Sequence, residues 1–166
     1  EGVNTNPATD DEKIGVMYKF YQDGSLLSET FVEVDQTVAS KSWEKLSSLL
    51  IEPGNPDSIE IEILVGKDAT GTVSFDNIRC NVTPGWAMGV FNGSAETPVG
   101  WMNWSDGSGF NNVVDDTVHS GQYSILLEEN DGDADERVYY TGPVPVEEGK
   151  WYKIGAWVKT EGISTD

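Results

Sequence analysis

Hydrophobic and polar residues alternate along several short stretches of the chain, with the period of two that is typical of β-strands. In residues 58–65, alternate isoleucines would face a core while the intervening glutamates would face solvent. Residues 14–21 and 151–159 have the same pattern. The residues predicted to face the core in these two stretches are Ile14, Val16, Tyr18, Phe20, Tyr152, Ile154, Ala156 and Val158.

Turn residues separate these stretches. Asp23-Gly24 predicts a tight hairpin turn into a second strand that ends at Val34. Further strands are predicted at 73–78, 123–128 and 137–140, a loop at 105–112 and an extended edge at 142–146, whereas residues 43–50 fit a strand and a helix equally well. Short strands with turns between them predict an all-β protein, an antiparallel β-sandwich.

Composition narrows the classes of function. The 166 residues suffice for one domain with a hydrophobic core. The net charge of −19, with only 10 Lys and Arg, argues against a nucleic-acid partner, because phosphate contacts need cationic side chains. An acidic surface is compatible with Ca²⁺ binding, with a salty habitat or with simple solubility. We expect no membrane span and no signal peptide in this sequence.

Residues that would mark catalysis are not apparent. No nucleophile stands in a recognisable pattern with a base, and no pair of carboxylates is marked as the acid and base of a glycosidase. Cys80 is the single cysteine, so it cannot form an intrachain disulfide, and we expect it to be a buried hydrophobic residue. We therefore expect no enzyme activity.

Several short motifs give the chain a family resemblance. In the second half they are Asn92-Gly93-Ser94-Ala95-Glu96, Gly100-Trp101, His119-Ser120-Gly121-Gln122-Tyr123-Ser124-Ile125-Leu126 and Gly149-Lys150-Trp151-Tyr152. In the first half the motif is Gly71-Thr72-Val73-Ser74-Phe75-Asp76-Asn77-Ile78. The second half resembles the opening of the jelly-roll carbohydrate-binding modules of the family 4, 9 and 22 type, and the first half resembles their closing part.

The resemblance implies a jelly roll whose halves occur in swapped order. Residues 1–82 would be the C-terminal half of a module and residues 83–166 the N-terminal half, together equivalent to one sandwich domain. Two explanations remain open at this point. The chain is a circular permutant, or it is a segment of a tandem array in which each unit is completed by strand exchange with a neighbouring copy.

The resemblance also implies a structural Ca²⁺ where the first and last strands meet. Its side-chain ligands would be Asp76 and Glu96, and its other ligands would be backbone carbonyls of Ser94, His119 and Gln122. Such a set of carboxylates and carbonyls suits Ca²⁺, which takes six to eight oxygens. A second acidic cluster lacks the spacing of a calcium loop, and we interpret it as a solvated loop; its members are Asp131, Asp133, Asp135 and Glu136.

Aromatic side chains are candidates for sugar binding, because their flat rings stack on the C–H faces of sugars. The chain has six Trp. Trp43 and Trp101 are expected to pack in the core or at its rim. The candidates for contact with sugar are Trp151, Trp157, Trp104, Tyr21 and Lys153.

The resulting hypothesis is a non-catalytic, extracellular module that binds a polysaccharide or cell-wall glycan on its concave sheet. The alternative is a structural repeat subunit of an extracellular filament or surface layer. Its partners would be other copies of itself, joined head to tail by β-strand exchange.

Overall fold

The computed structural model describes residues 13–46, 50–51, 54–66, 69–83, 96, 101–105, 110–114, 117–129, 137–147 and 149–164. For residues 50–51, 81–83, 103–105, 110–114, 129 and 137–139 it describes the backbone alone. This part of the chain is built from β-strands and contains no helix.

The described residues form twelve strands. In chain order they are β1 (Ile14–Gln22), β2 (Ser25–Glu33), β3 (Lys41–Leu46), β4 (Leu50–Ile51), β5 (Ser58–Val65), β6 (Thr70–Thr83), β7 (Met102–Ser105), β8 (Phe110–Val114), β9 (Ser124–Glu129), β10 (Arg137–Tyr140), β11 (Val144–Pro145) and β12 (Trp151–Ser164).

These strands form two antiparallel sheets. Sheet A has the order β2-β1-β5-β10-β7, with β11 also paired to β5. Sheet B has the order β3-β12-β6-β9-β8, with β4 also paired to β12. Both sheets combine strands from residues 1–82 with strands from residues 83–166. The predicted all-β, antiparallel architecture is confirmed.

The core lies between the two sheets. The ring of Phe20 in β1 packs against that of Tyr152 in β12, with centroids 5.6 Å apart. The hydroxyl of Tyr18 donates a hydrogen bond across the core to the carbonyl of Gly155, at 3.2 Å. All eight residues predicted to face the core from β1 and β12 are at most 2 % exposed. Strand alternation therefore places one face of each sheet against the other.

Local predictions hold where the pattern is strong. Asp23 and Gly24 have φ angles of 50° and 74°, and β1 and β2 pair on either side of them as predicted. The ambiguous stretch 43–50 carries the end of β3 and the start of β4, both of which pair with β12. It is therefore strand where the structure describes it.

Several boundaries differ from the prediction, and the last strand, expected at 151–159, continues to Ser164. The expected loop at 105–112 is wrong at its C-terminal end, because β8 begins at Phe110 and pairs with β9. Phe110, Val113 and Val114 are residue types that favour strands, and they outweigh the polar residues among them. The strand expected at 73–78 extends from Thr70 to Thr83, because it follows β12 along most of that strand's length.

Candidate functional site

A β-bulge interrupts the pairing of β6 with β12. Gly155 lies opposite Arg79 and Trp157 lies opposite Asp76, so β6 has one residue more than β12 between these pairs. Within the bulge, Asn77 has a φ of 49°, a left-handed conformation that asparagine tolerates better than most residues. Bulges bend a strand and redirect its side chains. This one sets the positions of the residues described next.

A depression of about 410 Å³ lies beside the bulge on the face of sheet B that points away from the core. Gly155 lies in the middle of the depression. Lys153 is two residues before it in β12 and Trp157 two residues after it, and Gly155 has no side chain to fill the space between them. Side chains two positions apart in a strand share a face and are about 6.6 Å apart. The residues that line this depression are Lys45, Asn77, Arg79, Lys153, Ile154, Gly155, Ala156 and Trp157.

Three cationic side chains surround the depression, and each comes from a different strand. Lys153 is in β12, Arg79 lies opposite Gly155 in β6, and Lys45 lies opposite Trp157 in β3. Within the described residues, none of the three forms an ion pair with a carboxylate. Arg79 donates instead to the side-chain oxygen of Asn77 at 3.1 Å. The depression is thus a basic site in a chain of net charge −19.

Two lysines elsewhere in the chain differ from the three cations around the depression, because they form short ion pairs. Lys19 pairs with Glu62 at 2.6 Å, and Lys41 contacts both Asp35 and Glu44. Ion pairs of this kind are easily made in a chain with 29 acidic residues. Within the described part of the chain, no carboxylate competes with a ligand for the cations of the depression.

Aromatic rings close one side of the depression. The imidazole of His119 stacks on the indole of Trp157, with centroids 3.9 Å apart and ring planes 17° apart. Trp43 meets the same imidazole edge-on at 5.7 Å. Asn77 donates through its amide to the hydroxyl of Ser120. These contacts attach residues 117–122, which we call the 117–122 turn, to the outer face of sheet B.

The 117–122 turn is also held by the buried carboxylate of Asp76. One oxygen of this carboxylate accepts from the backbone N–H of Asn77, and the other accepts from the N–H groups of His119 at 3.1 Å and Ser120 at 2.9 Å. Burial raises the pKa of Asp76, and the three hydrogen bonds act against that rise. The carboxylate is fully buried and, within the described residues, has no ion-pair partner.

Glu96 holds the other end of the same turn. Its two carboxylate oxygens lie 3.2 and 2.9 Å from the backbone N–H of Gln122. Gly121, between the two contacts, has a φ of 76°, and a Cβ there would collide with the Glu96 carboxylate. Glycine suits this position by its conformation, and a larger residue would force the Glu96 carboxylate to move.

Four of the five residues predicted to bind calcium therefore meet at one turn, and the fifth, Ser94, lies outside the described residues. A carboxylate offers about four acceptor positions. The described hydrogen bonds occupy three of them on Asp76 and leave positions open on Glu96. Within the described chain no cluster of three or more His, Cys, Asp or Glu side chains could hold a metal. A cation here would consequently need backbone carbonyls as well, which is the kind of ligand set that the resemblance implies for Ca²⁺.

The sugar-binding candidates divide between the two sheets. Trp151, Lys153 and Trp157 lie along the outer face of β12 in sheet B, and Trp151 is 42 % exposed. Tyr21 is in sheet A, where its hydroxyl lies 3.4 Å from Glu60. Trp104 is in β7 of the same sheet, opposite Val138, and its side chain lies outside the described part. Of the five candidates, Lys153 and Trp157 line the depression.

Sequence reasoning missed several residues of this site. Asn77, Arg79 and Lys45 were not foreseen, because they lie on strands far apart in sequence. His119 was expected to contribute a carbonyl, but its ring also covers one face of Trp157. The scarcity of cations in the chain was a signal that could have drawn attention to Arg79 and Lys45.

The remaining predictions have mixed outcomes. Trp101 is buried in the core, as expected. The expectation for Trp43 is wrong, because its ring meets His119 on the outer face of sheet B. Cys80 is buried, as predicted, and burial raises the pKa of its thiol to about 12. The acidic cluster at 131–136 lies outside the described residues. The described segments contain no helix that is long and apolar enough to cross a membrane.

Comparisons with known proteins add no relative. No protein-family model matches the chain, and neither a curated protein nor a solved structure matches it.

Proposed function

We propose that the chain is a non-catalytic, extracellular carbohydrate-binding module that holds a polysaccharide on the outer face of sheet B. The observation that carries this proposal is the open depression at Gly155, where the indole of Trp157 lies beside polar and cationic side chains. A sugar needs this combination, because an aromatic ring takes its C–H face while amides and charged groups bind its hydroxyls.

The size and depth of the depression suit part of a chain molecule. Its volume of about 410 Å³ is at the lower end of the ~300–1,000 Å³ of small-molecule sites. It lies on the face of a sheet, between β3, β12 and β6, so a polymer can enter and leave along the surface. Trp151 lies farther along the same face of β12 and offers a second contact for a longer ligand.

The proposed fold is a jelly roll of the carbohydrate-binding type with its halves permuted. This proposal is supported by the antiparallel pairing of β6 from the first half with β12 and β9 from the second. A permuted module requires such pairing within one chain, and a strand-exchanged array requires the same pairing between chains.

The proposed calcium has a structural role. Bound to Asp76 and Glu96, it would hold the 117–122 turn against β6 and so keep His119 in place on Trp157. The charge of the ion would offset the cost of burying the Asp76 carboxylate. The full burial of that carboxylate, with no ion-pair partner in the described chain, supports this role.

Affinity electrophoresis tests the proposed function. The protein is run through gels that each contain one polysaccharide from a panel of plant, algal and bacterial glycans, with calcium in the buffer. We expect one or more glycans to retard the native protein, while bovine serum albumin in the same gels is not retarded. Unchanged mobility in every gel would rule out polysaccharide binding.

A second candidate, the structural repeat subunit of a filament or surface layer, is favoured by the position of β2. This strand forms one edge of sheet A, and it exposes Leu26 and Leu27. An edge strand can pair with a strand of another copy. Light scattering at high protein concentration with calcium decides between the two: chains of copies support the filament subunit, and a monomer excludes it.

A further inference from the structure

We infer that the depression binds the anionic group of an acidic polysaccharide, a uronate carboxylate or a sulfate ester, rather than a neutral glycan. This inference rests on the proposed carbohydrate binding and specifies its ligand class. Its starting point is the distribution of charge. Lys45, Arg79 and Lys153 are three of only ten cationic residues in the chain, and they surround one depression.

The lining of the depression lacks opposing charge. Among the described residues that form it, none is acidic, although the chain has 29 Asp and Glu. Asp76 lies opposite Trp157 nearby, but its carboxylate is buried under the 117–122 turn and accepts three backbone hydrogen bonds. The cations are therefore neither paired nor neutralised by the part of the surface that the structure describes.

The geometry places the three charges around a single point. Gly155 is in β12, which lies between β6, the strand of Arg79, and β3, the strand of Lys45. Neighbouring strands are about 4.8 Å apart, so β3 and β6 are about 10 Å apart. Lys153 lies on the same face two positions before Gly155. One anionic group above Gly155 is then within reach of all three side chains.

The donors differ in what they can bind. Arg79 presents a planar fork that matches a carboxylate or a sulfate with two parallel hydrogen bonds, and its contact with Asn77 helps to orient it. Lys45 and Lys153 are mobile point charges that adapt to either group. The indole of Trp157 packs against the sugar ring that carries the anionic group.

The acidity of the rest of the protein does not prevent this binding. At physiological ionic strength, charges farther than about 8 Å from a site are largely screened. The three cations act at contact distance, where this screening is small.

Matched ligand pairs test the inference by isothermal titration calorimetry. The first pair is an oligogalacturonate, too short to gel with calcium, and its methyl ester. The second is dextran sulfate and dextran, and poly-L-glutamate is the non-sugar polyanion. We expect one of the two acidic glycans to bind at least about tenfold more tightly than its neutral partner and than poly-L-glutamate. Whichever acidic glycan binds identifies the anion as carboxylate or sulfate.

Single substitutions locate the binding to the depression. We expect Lys45→Gln, Arg79→Gln and Lys153→Gln each to weaken binding of that glycan about three- to tenfold, with unchanged thermal unfolding. Lys150→Gln removes the same charge from an exposed lysine that does not line the depression, and we expect it to stay within about twofold of the wild type. Equal loss in Lys150→Gln would overturn the inference.

The possible failures can be told apart. Preferential binding of dextran or of the methyl ester overturns the anionic inference but leaves carbohydrate binding intact. Equal binding of poly-L-glutamate and the acidic glycan overturns the inference and carbohydrate recognition together, because a site that ignores the sugar is only an anion site. Binding of none of these ligands overturns the anionic inference alone, because carbohydrate binding is decided by the panel of affinity gels.

Discussion

The imidazole of His119 lies parallel to the indole of Trp157, with ring centroids 3.9 Å apart. This contact joins the turn that is predicted to bind calcium to the surface that is predicted to bind sugar, which are separate predictions from the sequence. It also means that one face of the Trp157 ring is already covered, so a sugar must use the other face or the ring edge. The position of the Trp157 ring in the proposed glycan site therefore depends on a well-ordered 117–122 turn.

Calcium should stabilise the protein through this turn. A ligand that binds only the native state raises its free energy of unfolding by about 2.7 kcal/mol at a concentration of 100 times its dissociation constant. We expect calcium to raise the melting temperature and EDTA to lower it, measured by differential scanning calorimetry.

Substitutions identify the ligands. Asp76→Asn and Glu96→Gln should each abolish the calcium-dependent rise in melting temperature, because a neutral amide is a weaker ligand for Ca²⁺ than a carboxylate. Glu33→Gln removes a carboxylate from the exposed edge of β2 and should leave the rise intact. A melting temperature that does not respond to calcium in the wild type would contradict the calcium proposal.

Gly121 should tolerate alanine less well than Gly24 does. Both have positive φ angles, 76° and 74°, so alanine costs about 1–2 kcal/mol in backbone strain at either position. A Cβ at Gly24 meets open space, whereas one at Gly121 collides with the Glu96 carboxylate. Urea denaturation should therefore show a larger loss of stability for Gly121→Ala. Equal losses would contradict this prediction and mean that displacing the Glu96 carboxylate costs little.

The bulge at Asn77 can be tested in a similar way. Asn77→Gly and Asn77→Ala both remove the amide that contacts Ser120 and Arg79, but only glycine adopts a φ of 49° without strain. We expect the alanine variant to be less stable than the glycine variant by about 1 kcal/mol in urea denaturation. If the two variants are equally stable, the bulge is not in this conformation.

Cys80 should be unreactive in the native protein and should make stability depend on alkaline pH. Burial raises the pKa of its thiol from 9.0 to about 12. Between these values the unfolded chain loses the proton while the native protein keeps it, so the free energy of unfolding falls as pH rises above about 9. The slope from one thiol is at most about 1.4 kcal/mol per pH unit.

Chemical labelling and urea denaturation measure these two effects. Iodoacetamide at pH 8 should label Cys80 in urea and not in buffer, and rapid labelling in buffer would show that the thiol is accessible. Cys80→Ala serves as the control for pH, because tyrosines and lysines also titrate in this range. Its stability should fall less steeply between pH 9 and 10 than that of the wild type. Equal slopes would contradict the raised pKa.

Much of the fold could be predicted because buried and exposed residues alternate along a strand. The alternation of Tyr152, Ile154, Ala156 and Val158 gives the core face of β12, and each of these residues is buried. Residues 43–50 were ambiguous because their pattern over eight positions fits two periods. Pairing with β12 selects the strand there, and such pairing is a contact between distant parts of the chain that a local pattern does not contain.

The candidate site was predictable only in part for the same reason. Lys153 and Trp157 share one strand, so their common face follows from alternation. Lys45 and Arg79 join them through the register of β3 and β6 with β12, and the bulge at Asn77 shifts that register by one residue. A shift of one residue changes which side chains share a face. No local pattern in the sequence indicates where such a bulge lies.

The most direct test compares the two sheets in one affinity gel. The wild type, Trp157→Ala and Tyr21→Ala are run with calcium through a gel containing the polysaccharide that retards the wild type most. Trp157 lies in the depression on sheet B, and Tyr21 lies on sheet A. We predict that Trp157→Ala loses most of the retardation and Tyr21→Ala keeps it. Retardation lost in Tyr21→Ala and kept in Trp157→Ala, or a wild type that no polysaccharide retards, would contradict glycan binding on sheet B.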